Sequence, residues 1–233
     1  MSEGGRSTLD SRLSTEHVPF TDAPDPEFEI LAATPVERAA APTLSFTVRA
    51  ADDSGRRIFT IAATAVISIE PSKRRYDGET RERLLELFGE PERWASTTNS
   101  FRWAQADALV GSFEGSTEFK LVVPCTYDLE LAAAKYFYGL ADGEAPLRFH
   151  FNGTVFYEVE DGRMQIVQIP WDRSPRFRMP VEAWRGAIDA VYPYRAWVPL
   201  DRETLERLRR RKAERGLPTF DATLAELLGE EGV

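Results

Sequence analysis

Two periodicities divide this chain, and where one yields to the other constrains the fold more than any motif. From Phe28 the apolar residues fall on alternate positions: Phe28, Ile30 and Ala32, then, after a connection from Pro35 to Pro42, Leu44, Phe46, Val48 and Ala50. Successive side chains of an extended strand point to opposite faces, so this pattern makes strands with one buried face. Asp52-Asp53-Ser54-Gly55 supplies a turn, and Phe59, Ile61, Ala63, Ala65, Ile67 and Ile69 continue the alternation. Residues 43–70 are therefore expected to form one long hairpin. After Pro180 the spacing opens to three and four, at Val181, Trp184, Ile188 and Val191, the period of a helix that buries one stripe and that Pro193 ends.

Between these regions the signals alternate. Arg81, Leu84, Leu85 and Phe88 are spaced for a short helix that Asp77 caps and that Gly89 and Pro91 stop. Phe101 and Trp103, then Thr117, Phe119, Leu121 and Val123, read as strands, with Gly111 and Gly115 at a turn or bulge and Pro124 interrupting the ladder. Tyr127, Leu129, Leu131, Ala133 and Phe137 alternate and are assigned as strand, although Leu131 to Tyr138 lacks β-branched residues and also suits a helix. Leu147, Phe149, Phe151, Val155 and Tyr157 alternate through Asn152-Gly153, read as a bulge in one long strand in preference to a hairpin turn. Thr154–Val159 and Met164–Ile169 flank an Asp161-Gly162 turn as a hairpin. Asp201 caps a helix through Arg215, and Phe220, Leu224, Leu227 and Leu228 form the stripe of a last helix ending at Gly229.

About eight strands followed by three helices predict an α+β fold: an antiparallel β-sandwich or curled β-sheet with an appended C-terminal helical element. Residues 1–26, rich in Ser, Thr, Gly, Pro and acids without apolar periodicity, are expected to be a disordered N-terminal tail. A mainly antiparallel β domain with one short helix near 78–88 would then span 27–172, and a helical element packed on it 173–233.

Composition narrows the function. With 29 Lys+Arg against 38 Asp+Glu the net charge is −9, which argues against a nucleic-acid partner held by phosphate contacts. One cysteine, Cys125, and two histidines, His17 and His150, give no disulfide framework, zinc site or iron–sulfur cluster, so neither metal nor cofactor is expected. No apolar run approaches the roughly 18 residues of a membrane span, and Met1–Pro26 is polar. The expectation is a cytoplasmic protein without membrane insertion; the sequence specifies no oligomeric state.

Candidate chemistry is sparse. Cys125 and His150 are the one conceivable thiol–imidazole pair, yet Cys125 sits in an apolar stretch and His150, between Phe149 and Phe151, falls on the opposite strand face. Arg209-Arg210-Arg211-Lys212 is balanced by Glu203 and Glu206 four residues before Arg207 and Arg210 and reads as a solvated helix face, as Lys73-Arg74-Arg75 reads as a solvated connection. Gly111 and Gly115 lack the lysine and spacing of a phosphate loop. The best interaction candidate is the cluster Trp171, Arg173, Arg176, Arg178, Trp184, Arg185, Tyr194 and Trp197, because aromatic and arginine side chains dominate binding hot spots. The competing reading makes Trp171 and Trp184 the glue between helices and sheet, with arginines snorkelling outside.

Gly89-Glu90-Pro91-Glu92-Arg93-Trp94, Val123-Pro124-Cys125-Thr126-Tyr127-Asp128, Gly153-Thr154-Val155-Phe156-Tyr157 and Pro170-Trp171 together resemble an uncharacterised bacterial family, a domain of unknown function associated with gene neighbourhoods of uptake nickel–iron hydrogenases. The similarity extends over residues 28–228. The resemblance implies an accessory role toward such an enzyme, and without Cys or His clusters that role is assembly or scaffolding in preference to metal delivery. The expectation is thus a non-enzymatic binding or assembly factor with a protein partner. Two alternatives stand beside it: a SecB-like export chaperone, by analogy of an acidic sheet-and-helix protein, and a hydrolase using paired carboxylates such as Asp128 and Glu130.

Overall fold

Alternating stretches become, among the described residues, eight strands in two antiparallel sheets. The computed structural model describes residues 23–125, 131–159, 162–193, 195 and 198–229. The smaller sheet has the order β1 (Glu27–Pro35), β2 (Thr43–Ala51), β5 (Ser116–Pro124). The larger has the order β4 (Phe101–Val110), β3 (Ile58–Ile69), β6 (Glu144–Glu158), β7 (Met164–Gln168), and β8 (Arg176–Pro180) also pairs with β6. Leu44, Phe46, Val48 and Ala50 of β2 are buried together with Ile61, Ala65, Ile67 and Ile69 of β3 and Leu147, Phe149, Phe151 and Val155 of β6. The layers meet through rings: Phe46 lies edge-on to Phe149 at 5.0 Å, and Phe28 stacks on Phe151 at 4.3 Å. The class is α+β, two antiparallel sheets with short helices between strands and, after Pro180, the helical C-terminal part that the change of periodicity predicts.

The hairpin expected over 43–70 does not form. β2 lies between β1 and β5, and β3 between β4 and β6, so residues 52–57 carry the chain from one sheet to the other. Alternation cannot distinguish a hairpin from such a crossing, because both bury every second residue. The corner itself decides. Asp52 is buried, and its carboxylate accepts from the Asp25 N–H (2.7 Å), the Ser54 N–H (3.1 Å) and the Ser54 hydroxyl. Ile58 exchanges two 3.0 Å backbone bonds with Phe113. A register shift between Ile58 and Thr60 also puts Ile58, in place of Phe59, in the core.

Three further expectations change. Leu131 to Tyr138 is not a strand: Ala132–Gly139 is a helix, α4 in the chain order, burying Ala133, Ala134, Tyr136 and Phe137 on one side. Three consecutive alanines and no β-branched residue outweigh the loose alternation; Tyr127 and Leu129 lie outside the described residues. Arg176–Pro180, placed in the helical element, is a strand whose arginines mask its short alternation of half-buried Phe177 and buried Met179. Asn152-Gly153 is neither turn nor bulge: both residues pair in register with Thr64 and Ala63 within one continuous strand. The hairpin of β6 with β7 forms over 154–158 and 164–168, with Asp161 outside the described residues.

Two of the remaining described helices begin at a side-chain cap, one at Asp77 and one at Thr219. Asp77 accepts from the Thr80 N–H at 2.7 Å, which lowers its carboxyl pKa, and starts α1 (Gly78–Arg83), followed by α2 (Leu85–Phe88). Gly89, at φ 71°, ends this pair, and α3 (Trp94–Thr97) follows, its Trp94 indole donating to the Gly89 carbonyl at 2.8 Å. After Pro180, α5 (Val181–Asp189) buries Trp184, which stacks on Phe137 at 5.3 Å. Asp201 precedes α6 (Arg202–Glu214) without a side-chain capping bond, whereas Thr219 caps α7 (Phe220–Leu228) by accepting from Ala222. These last two helices are tied by Arg211 and Arg215 on Glu226. No described helix is long and apolar enough to cross a membrane.

Candidate functional site

The aromatic and arginine region does not assemble into one patch; the fold distributes it three ways. Trp184 faces inward at 2% exposure, and Arg185 donates to the Leu140 carbonyl, so these two hold α5 against the body and are not available to a partner as docking residues. Arg173 lies on the loop after β7, where it pairs with Asp25 at 2.5 Å and Asp172 at 3.4 Å and donates to the Pro26 carbonyl at 3.2 Å, clamping the entry to β1. Tyr194 and Trp197 lie outside the described residues.

Arg176 and Arg178 project from the same face of β8, which pairs with residues 144–148 of β6. Arg148 stands directly opposite Arg176. Two like charges facing each other across strands repel, and the carboxylate between them answers that repulsion: Glu70, 2% exposed, accepts from Arg148 on Oε1 (2.5 Å) and from Arg176 on Oε2 (2.8 Å). The Glu70 N–H donates to the Pro146 carbonyl at 2.9 Å, fixing the acid over the sheet. A short 3-10 turn, Pro71–Lys73, follows it, and the Lys73 carbonyl accepts a long 3.4 Å bond from Arg178. Glu70, Lys73, Arg176, Phe177 and Arg178 line a cleft of about 420 Å³.

Trp171 is exposed at 84%, two residues past Ile169, the buried residue that follows β7. β7 closes one edge of the larger sheet. Its segment Met164-Gln165-Ile166-Val167-Gln168 carries no charge, and Met164 and Ile166, on the outward face, are 61% and 58% exposed. Edge strands are ordinarily blunted by charge, proline or a covering element. Sequence reasoning missed this edge because alternating apolar residues were counted toward the core. The available signal was the absence of any charge on the outward positions of β7. Glu70 was missed for a similar reason, standing at the end of a long apolar alternation, and Lys73 was absorbed into a run taken as solvated.

The thiol–imidazole pair is not assembled. Cys125, at the end of β5, is buried, its thiol contacts the Val123 carbonyl, and burial pushes its pKa up to about 12. The His150 ring bonds the Ser174 hydroxyl at 2.9 Å on the outward face of β6, between two phenylalanines that face the core. At pH 8 roughly one thiol in ten thousand would be ionised, so native protein is expected to resist a disulfide reagent and to label fully after denaturation; rapid stoichiometric labelling of native protein would contradict the placement. Asp128 and Glu130 lie outside the described residues. Arg74 donates to the Asp142 and Glu144 carbonyls, both at 2.9 Å, holding the approach to β6. Within the other basic run, Arg210 meets Glu206 at 3.6 Å. Among the described residues no three His, Cys, Asp or Glu side chains gather where they could hold a metal.

Comparison with known proteins adds a family and two distant shapes. The model of a family of unknown function, DUF6084, matches residues 23–233. A search of curated proteins returns no match. A crystal structure of a Bordetella pertussis protein described as ApaA aligns over 68% of this chain and 94% of its own, at 13% identity and a TM-score of 0.27. The β-glucosidase 3B of Thermotoga neapolitana, in complex with α-D-glucose, aligns over 66% of this chain and 17% of its own, at 13% identity and a TM-score of 0.23. Likeness at this level carries no argument about activity.

Proposed function

The chain belongs to the DUF6084 family of unknown function, and from its own surface we propose that it is a cytoplasmic, non-enzymatic binding or assembly factor whose protein partner docks along β7 and Trp171. One observation carries this reading: an uncharged edge strand bears two outward apolar side chains and is followed at once by a tryptophan exposed at 84%. Covering that indole removes apolar aromatic surface from water, the kind of contribution a docking partner can use. An edge strand offers a partner a row of backbone hydrogen-bonding groups, and an indole beside it supplies the anchor that hot spots use. The sequence resemblance described above supports a narrower version, in which the partner is an uptake nickel–iron hydrogenase subunit or maturation protein.

Affinity capture from the native host tests the docking surface when Ile166→Asp and Trp171→Ala are run beside the unaltered protein. Both positions are outward-facing and exposed, so melting temperatures are expected to stay within about 3 °C. The account expects one discrete partner whose recovery falls roughly tenfold or more in either variant. Equal recovery by all three proteins would reject this surface. A broad set of unfolded chains would favour an export chaperone.

A further inference from the structure

The acidic character of this chain, −9 overall, makes the composition of the cleft over β8 informative. Three cationic side chains line it, Lys73, Arg176 and Arg178, and a fourth, Arg148, reaches its central acid from outside the lining. The one acid at its centre is already committed, since Glu70 receives Arg148 on one oxygen and Arg176 on the other. Asp142, on the neighbouring loop, is paired with Arg74 at 3.9 Å. No described carboxylate lies within ion-pair distance of Lys73 or Arg178, and Arg178 makes only the 3.4 Å bond to a carbonyl. Arg176 lines the cleft and meets Glu70 through its Nε, and among the described residues no hydrogen bond engages its terminal nitrogens. One further donor of the cluster, Arg148 Nε, is buried without a hydrogen-bond partner.

Glu70 therefore acts less as an anion on offer than as a brace. It cancels one charge, pulls two guanidinium groups into fixed positions on adjacent strands, and leaves the lining of an opening of about 420 Å³ with a net excess of two positive charges. That volume falls within the range of small-molecule sites, and Pro146 and Phe177 give its lining an apolar component. Fixed guanidinium forks with a nearby ammonium match the oxygens of phosphate and carboxylate groups.

We propose that the cleft formed by Lys73, Arg176 and Arg178 over β8 is a binding site for a small-molecule oxyanion, a phosphate ester or a carboxylate with a modest apolar body. The head group sits among the three cations and the body lies along Pro146, which stands opposite Arg178. This site is independent of the docking surface, because neither Ile166 nor Trp171 lines it.

Calorimetric titration of the full chain with phenyl phosphate and, separately, benzoate tests the assignment. Saturable binding is expected for at least one probe at a Kd of about 1 mM or tighter, and it should weaken as sodium chloride is added. The stronger probe identifies the head group. Lys73→Ala and Arg178→Ala, which disturb no ion pair, should each weaken binding by roughly tenfold while the melting temperature is unchanged. Arg178→Glu should abolish it. Absence of saturable binding by either probe up to about 10 mM, or binding that survives in the Lys73→Ala/Arg178→Ala double variant, would overturn the proposal.

Discussion

Gly153→Ala yields a chain that does not fold stably. Gly153 lies in the middle of β6, directly opposite Ala63 of β3, at φ 140°, a backbone conformation that L side chains rarely adopt. A Cβ built there would stand 2.0 Å from the Ala62 carbonyl oxygen and 3.0 Å from the Ala63 Cα. Both obstacles are backbone atoms of a central strand that is paired on both sides, so neither can move without opening the larger sheet. The cost is expected to exceed about 4 kcal/mol, at the upper end of single-substitution effects. Gly111→Ala is the control: nothing lies within 4 Å of a Cβ there and its φ is not positive, so its stability should match the parent. Thermal unfolding followed by circular dichroism separates the two, and a Gly153→Ala protein that melts within a few degrees of the parent would show that the β3–β6 register is wrong.

Glu70→Ala should cost about 3 kcal/mol, the low end for removing one partner of a buried ion pair. The low end applies because Arg148 and Arg176 are 42% and 60% exposed and can turn toward water once the carboxylate is gone. What they cannot escape is their mutual repulsion across the β6–β8 pairing, so the loss should appear first as release of β8. For a chain of this size the melting temperature should fall by roughly 6–12 °C. Amide exchange should quicken at residues 144–148 and 176–180 more than in β3. An unchanged melting temperature would mean that Glu70 braces nothing, and the preorganised cleft would lose its basis.

How far the sequence foretold this structure depends on whether the deciding information was local. The positions of β1, β2, β3 and β6, the helix capped by Asp77 and the start of α5 after Pro180 all follow from nearest-neighbour periodicity and capping chemistry. Strand partnership does not, because Leu44–Ala50 and Ile61–Ile69 would bury the same residues in a hairpin or across a sandwich. The contacts that choose between them, Asp52 to Asp25 and Ile58 to Phe113, span long stretches of sequence. The helix at Ala132–Gly139 shows composition prevailing over a weak alternation. The candidate site was legible in residue type, since Trp171, Arg176 and Arg178 were singled out from the sequence. Its division was not legible: the same composition places Trp184 in the core, Trp171 in water and Arg176 on a buried acid that no motif marks.

Site-specific photocrosslinking tests the central claim, that β7 and Trp171 form the docking surface, most directly. A photoreactive residue is placed in turn at Ile166, at Trp171 and, as a control, at exposed Arg209 on α6, in cells of the native host. The account predicts the same single protein joined at positions 166 and 171 and absent at 209. A hydrogenase subunit or maturation protein as that adduct would support the narrower reading. No adduct at 166 or 171, or a common adduct formed equally at 209, would contradict the claim.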